Sequence, residues 1–383
     1  MAQDPIFQNL EQVHTYGSPL GSRAKSLSEA MKGFRLGTSG PKTLQPNLER
    51  NGHTFFVRPQ LNLSAKNCLR VRQLFRLLTD KVNSIPTFCR TTLDPRLYVT
   101  PSENCRTSLI DNDNPFIPIL TNCCVSVSGW PDLTTPSWTS SEGMRREAYS
   151  IVDGVMDNYE AFDLDVSFFN MQDEPISQLF YTWEKYATLV FEGKCHPYPD
   201  FIAFNEIDYN TRIYRLVMDK TDTYVSKIAC CGIAYPISLP SGDYANFRQE
   251  TPLEAKKDIT IRFRCLGAVY YDDIALQEFN ETVRQFNERL DTEVSEGMLG
   301  SKSSSFYQVP VEHRQAFSFL IPYIDINTLE LKWYADLSKP ENKVAYDYLN
   351  KLKESEYYKP MQGVLADVQP KIINQAGARE VLV

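Results

Sequence analysis

The chain has 383 residues, 42% of them hydrophobic, which excludes disorder along its whole length and suits two domains or one elaborated one. A formal net charge of -8 excludes a strongly basic nucleic-acid-binding surface overall, leaving only local patches. Nine cysteines in a chain this long lack the density of a small, disulfide-stapled secreted domain.

From the amino end, "MAQDPIFQNLEQVHTYGS" has neither the basic segment nor the apolar core of a secretion signal, which predicts folding in a reducing cytoplasm. Residues 1–50, with "YGSPLGSRAKS" and "LGTSGPKTLQPN", read as an extended arm suited to binding neighbours. A short strand around Phe55 and Val57 precedes a helix predicted over 65–82 and capped by Ser64. Its predicted inward face is Cys68, Val71, Leu74, Phe75, Leu78 and Val82. Arg70, Arg72, Arg76 and Lys81 rim that face and read as a solvated edge in preference to a functional contact. A loop-rich stretch follows, and no apolar run approaches the roughly 18 residues of a membrane helix.

The central block carries the clearest pattern. In "YEAFDLDVSFFN", Phe162, Leu164, Val166 and Phe168 alternate with Asp163, Asp165 and Ser167, as in a strand buried on one face. A helix is predicted over 174–192, with Asp173 as N-cap, Pro175 in its first turn and Gly193 as C-cap. Its face of Ile176, Leu179, Phe180, Trp183, Ala187, Val190 and Phe191 predicts packing across a sheet. Further strands are predicted in "TRIYRLVMD", "YVSKIACCGIAYPISL" and "DITIRFRCLGAVYY", the last setting Arg262 and Arg264 on its polar face. Strands, one helix, then strands predict an α+β class built on an antiparallel sandwich or barrel-forming sheet. This β domain is expected over 51–292, with a further helix over 273–290, a linker over 293–306 and a C-terminal α/β appendage over 307–383. In the appendage, Val344, Tyr348, Leu349 and Leu352 are the predicted inward face of a helix starting near Pro340.

Motifs for chemistry are weak. The doublets Cys123–Cys124 and Cys230–Cys231, read as strand residues, put one thiol on each face, and His14, His53, His196 and His313 are scattered, so no zinc site is expected. Cys195–His196 sits in a prolyl loop, "KCHPYPD", and Asp163 with Asp165 or Asp272 with Asp273 suit solvated faces and turns better than acid-base work. "LGTSGPKT" lacks the spacing of a phosphate loop. No catalytic residue, cofactor or metal is expected.

Three stretches, "YEAFDLDVSFFN" running into "EPISQLFYTWEKYA", then "RIYRLVMDKTDTYVSKIACCGIAYPISLPSG", then "DITIRFRCLGAVYY", together resemble the tail-tube superfamily of contractile-tailed bacteriophages, which includes baseplate tube-initiator proteins. The resemblance implies a structural virion protein of the tail. It also implies a hexameric ring whose strands join into an inner barrel, neighbouring tail-tube or baseplate proteins as partners, and DNA only as passing cargo. It makes Asp163, Asp165, Ser167, Arg262 and Arg264 candidates for the lumen or a subunit interface. Carboxylates on the lumen would repel DNA phosphates, while the two arginines argue against a uniformly acidic wall unless they bridge subunits or lie outside. The arm and appendage point to a junction near the baseplate, with the main tube protein of a large phage as the alternative position. The competing readings are a neck or head-associated virion protein, and a hydrolase or metal enzyme whose site assembles only in three dimensions.

Overall fold

A computed structural model describes residues 35–36, 43–44, 52–98, 105, 107–156, 158–219, 221–241, 258–301 and 303–354. The chain forms two compact units, Met1–Arg50 and Asn51–Val383. In the first, Arg35–Leu36 (β1) pairs in parallel with Thr43–Leu44 (β2), and the rest of the expected arm lies outside the described residues.

The second unit opens with Gly52–Phe56 (β3). The helix expected over 65–82 is replaced by a single turn, Ala65–Cys68 (α1), and a 3-10 turn at Phe75–Leu77. Its buried apolar residues are Cys68, Val71, Leu74 and Leu77, spaced by three, which suits three-per-turn geometry better than the 3.6 of an α-helix. Phe75 and Val82 are left exposed. Next come Ile85–Leu93 (α2), capped by Ser84, then Pro118–Cys123 (α3) and Cys124–Ser128 (β4). Cys123 therefore closes a helix and does not share a strand with Cys124. Ser137–Thr139 (β5) and Ser150–Val152 (β6) form a separate hairpin before the long strand Asn158–Phe168 (β7).

Pro175–Phe191 (α4) is the central helix. It begins after Asp173 and Glu174, both left-handed, with Glu174 as the flanking residue and no side-chain cap, so Asp173 is not the N-cap. It ends at Phe191, two residues before the predicted cap, with Glu192 between them. Gly193, at φ 70, donates to the Val190 carbonyl while Lys194 donates to that of Leu189, a Schellman pair that needs the left-handed glycine. Phe191 in the last turn, expected on the inward face, is instead 93% exposed.

Pro199–Phe204 (α5) leads into Thr211–Met218 (β8), Val225–Ser238 (β9) and Ile259–Tyr270 (β10). The segment predicted as one helix over 273–290 is two, Asp273–Phe286 (α6) and Glu288–Ser295 (α7). Asn287 separates them with extended backbone, its side chain capping α7 through Leu290 N. Phe306–Gln308 (β11), Ile321–Asp325 (β12), Glu330–Asp336 (β13) and Pro340–Glu354 (α8) complete the described chain.

Six antiparallel strands run in the order β3-β8-β9-β10-β7-β4. Adjacent residues feed opposite faces, with Phe56, Ile213 and Cys231 in one core and Phe55, Tyr214 and Cys230 in the other. The Cys230–Cys231 doublet is thus two small apolar side chains serving two cores, as alternation predicts. Four residues of β9, Cys231 to Ala234, stand against only three of β8, Thr211 to Ile213, a bulge at Gly232 and Ile233 that bends the strand. Bending brings the sheet's two edges towards each other. Phe56 of β3 lies 5.6 Å from Phe168 of β7 and 5.8 Å from Phe263 of β10, and the Cys124 thiol on β4 reaches Thr54 on β3.

α4 fills the inside of this curl with Phe180 and Trp183. α6, α7 and the sheet β11-β13-β12 pack on the outside, against β3, β8 and β9. Phe306, Ile321, Ile324 and Leu331 share that outer core with Phe55 and Phe279, so the region expected as an appendage is built into the main unit. The expected linker is likewise organised, since Glu293 of α7 accepts hydrogen bonds from Ser304 and from Ser305 N. On α8, Val344 is 70% and Tyr348 62% exposed while Leu349 is 6% exposed, reversing most of the predicted face. Asn342 fixes this rotation: it accepts from Ser318 N at 3.0 Å and donates to the Asp336 carbonyl at 3.2 Å. The buried stripe becomes Asn342, Ala345, Tyr346 and Leu349.

Candidate assembly and channel surface

Where the outer layer stops, no other element among the described residues packs on the outer face of β10, β7 and β4. Antiparallel register places Asp163 opposite Arg264, Asp165 opposite Arg262 and Ser167 opposite Thr260. All three pairs make contact. Arg264 Nη1 donates to Asp163 Oδ1 at 2.8 Å, Arg262 Nε to Asp165 Oδ1 at 2.8 Å, and the Ser167 and Thr260 hydroxyls lie 2.9 Å apart. Ser126 and Ser128 of β4 continue the row beside Ser167 and Asp165. The alternate residues Leu164, Val166, Ile261 and Phe263 are buried on the inside, which fixes the polar set outward.

Each arginine is matched by its carboxylate, and hydrogen bonding to Asp165 and to Asp163 holds the Arg262 and Arg264 guanidinium groups above their ordinary range. Two consequences follow. The face carries no net charge from these four residues, in place of the acidic wall considered from sequence. The arginines find their partners within the chain, so they are not required as bridges between subunits. Exposed pairs contribute little stability, and their main effect is to reinforce register.

Two features flank this plate. The outer edge of β4 has no strand partner among the described residues, whereas β3 is partly covered through a Val57–Phe116 bridge and Ile117 N donating to the Phe56 carbonyl. The β5–β6 hairpin is exposed throughout its strands, with Trp138 paired to Ile151. A two-stranded ribbon is marginal in water by itself.

No catalytic constellation emerges among the described residues. Burial pushes the Cys195 thiol upward, away from a reactive thiolate, and the His196 carbonyl serves only to accept from Asn62 and Asn67. No group of three or more His, Cys, Asp or Glu could hold a metal among the described residues, and none of the nine cysteines forms a disulfide. Sequence reasoning missed the buried polar sites. Asp94 accepts from Leu63 N at 2.8 Å, from Tyr198 Oη at 2.9 Å and from Arg96 N at 3.2 Å, yet burial pushes it up to about 7. Arg58 is enclosed by carbonyls of residues 91–92 and 111–114. Lys339 pairs with Asp111, and Arg289 with Asp336. These partners are far apart in sequence, so only a lone Asp or Arg inside an apolar stretch could have signalled them.

A family model described as "Putative phage tail tube protein" matches residues 8–350. Among solved structures, the chain is similar to one in "Cryo-EM structure of the anti-feeding prophage cap (AFP tube terminating cap)". That similarity has 12% identity and a TM-score of 0.26, and it covers 41% of this chain and 81% of that one. No curated protein matches. No described helix is long and apolar enough to cross a membrane.

Proposed function

The chain belongs to the phage tail tube protein family, a structural component of the virion's tail that assembles with other tail proteins, and from that premise we propose that six copies form a ring around the DNA channel. The ring belongs to the tail tube of a contractile tail or to its baseplate junction, where neighbouring tube or baseplate proteins stack on it. Assembly takes place in the host cytoplasm, and the protein has no catalytic role.

The half-covered sheet carries this reading. α6, α7 and β11–β13 shield the outer face of β3, β8 and β9, leaving a charge-balanced plate on β10, β7 and β4. A wall of matched Asp–Arg pairs neither traps phosphates nor opposes their entry, which suits DNA as passing cargo. The β4 edge beside that plate supports joining between copies, because an open edge is stabilised by pairing or cover.

Analytical ultracentrifugation of the purified chain tests the stoichiometry. The expected species is six times the 43.9 kDa chain mass, or a stack of such rings. A monomer persisting at high concentration would sink the proposal.

A further inference from the structure

The surface over residues 65–82 is unlike the rest of this acidic protein: it carries Lys66, Arg70, Arg72, Arg76 and Lys81 against the single carboxylate Asp80. No ion pair among the described residues engages Lys66, Arg70, Arg72 or Lys81. Apolar side chains stand between these cations, with Leu69 63% and Phe75 58% exposed. A rim of solvated charge does not need exposed Leu and Phe, whereas a docking surface does.

The complement is in the same chain. Residues 272–296 hold eight carboxylates and two arginines, and both arginines are already paired, Arg284 with Asp291 and Arg289 with Asp336. Asp273, Glu281, Glu288 and Glu296 face solvent on α6, on α7 and just beyond it. These two surfaces cannot meet within one molecule. The basic one packs through Cys68, Val71, Leu74 and Leu77 on the core at one face of the sheet. The acidic one packs through Leu276, Phe279, Val283 and Leu290 on the core at the opposite face.

We propose that the basic, apolar-studded surface over 65–82 of one copy docks on the acidic outer surface of α6 and α7 in a second copy. Different patches on the two partners make the contact head-to-tail, the type that repeats around a closed ring. Charge complementarity sets its direction and register, while Leu69 and Phe75 supply the apolar burial. The inference rests on the tube reading above and names the surfaces through which copies meet.

A charge-swap experiment on the full chain tests it, with assembly followed by sedimentation and negative-stain microscopy. The variants are Arg70→Glu/Arg72→Glu, Glu281→Lys/Glu288→Lys and all four together. Each one-sided reversal is expected to lower the assembled fraction about tenfold or more, and the combined variant to recover to within about threefold of the parent. Thermal melts establish that every variant folds, and recovery in the combined variant cannot come from misfolding. Rings that persist in both one-sided variants would overturn the pairing and leave the tube reading standing, whereas a parent that never assembles would fell the tube reading itself. Losses that the combined variant fails to restore would also overturn the pairing. So would duplex DNA binding by the parent that Arg70→Glu/Arg72→Glu abolishes while assembly continues.

Discussion

Replacing Arg58 with methionine removes a buried cation that organises the loop between α2 and α3. Its guanidinium donates to the Thr91 carbonyl at 2.5 Å, to that of Thr92 at 3.0 Å, to that of Asn114 at 3.4 Å and to Asn112 Oδ1 at 3.2 Å. Burial pushes Arg58 down to about 10, so the enclosure is costly to the cation and is held by these acceptors and by Asp111, Asp94 and Asp113. Methionine matches much of the aliphatic volume but leaves several buried carbonyls without a donor, at about 1–3 kcal/mol for each one that water cannot reach. With relaxation of the loop, the expected loss is about 3–5 kcal/mol, the range for breaking a buried charged network. For a unit of this size that corresponds to a fall in Tm of ~4–7 °C. Urea titration monitored by tryptophan fluorescence, with calorimetry, measures it. Arg58→Lys should lose a similar amount, because an ammonium cannot span acceptors on both sides. A loss below about 1 kcal/mol in either variant would refute the view that Arg58 holds residues 111–114 in place.

Asp94 gives a pH dependence. Burial raises it to about 7, so the folded state keeps a proton that the unfolded chain releases near 4. Its contribution is present in full below about pH 4 and is lost as pH rises through about 7. Stability should therefore decline from pH 5 to pH 8, by on the order of 2–4 kcal/mol at most, and Asp94→Asn should flatten the slope; an unchanged slope would assign the effect elsewhere. Phe180→Ala opens a cavity among Phe168, Trp183 and Phe263 and should cost about 3–5 kcal/mol in chemical denaturation. Asn342→Leu should destabilise by about 1–3 kcal/mol despite the larger apolar surface, because Ser318 N and the Asp336 carbonyl lose their partner. Arg262→Gln with Arg264→Gln should leave Tm nearly unchanged, these pairs being exposed, but uncover Asp163 and Asp165 and delay elution on anion exchange.

The sequence made β7 and β10 legible because one face of each strand is buried and the other wet, and period-two alternation records that directly. The Cys230–Cys231 doublet was legible for the same reason, each strand residue passing to the opposite core. Residues 65–82 were not, since apolar side chains at 68, 71, 74 and 77 fit a helical stripe nearly as well as a chain of turns. The face of α8 depends on Asn342, a polar residue that pattern reading sends to solvent and two hydrogen bonds bring inside. On the candidate surface, the five polar positions and their strands were readable, while the register that sets Arg264 against Asp163 was not. Register follows from packing between strands about 100 residues apart in sequence, and in this pair it shifts beyond Leu266 in β10.

A cryo-EM map of the assembled protein is the most direct test. The predicted result is a sixfold ring whose channel is lined by the outer face of β7 and β10, with Asp163–Arg264 and Asp165–Arg262 paired along the wall. A ring that turns this face outward, or an assembly without a central channel, would contradict it.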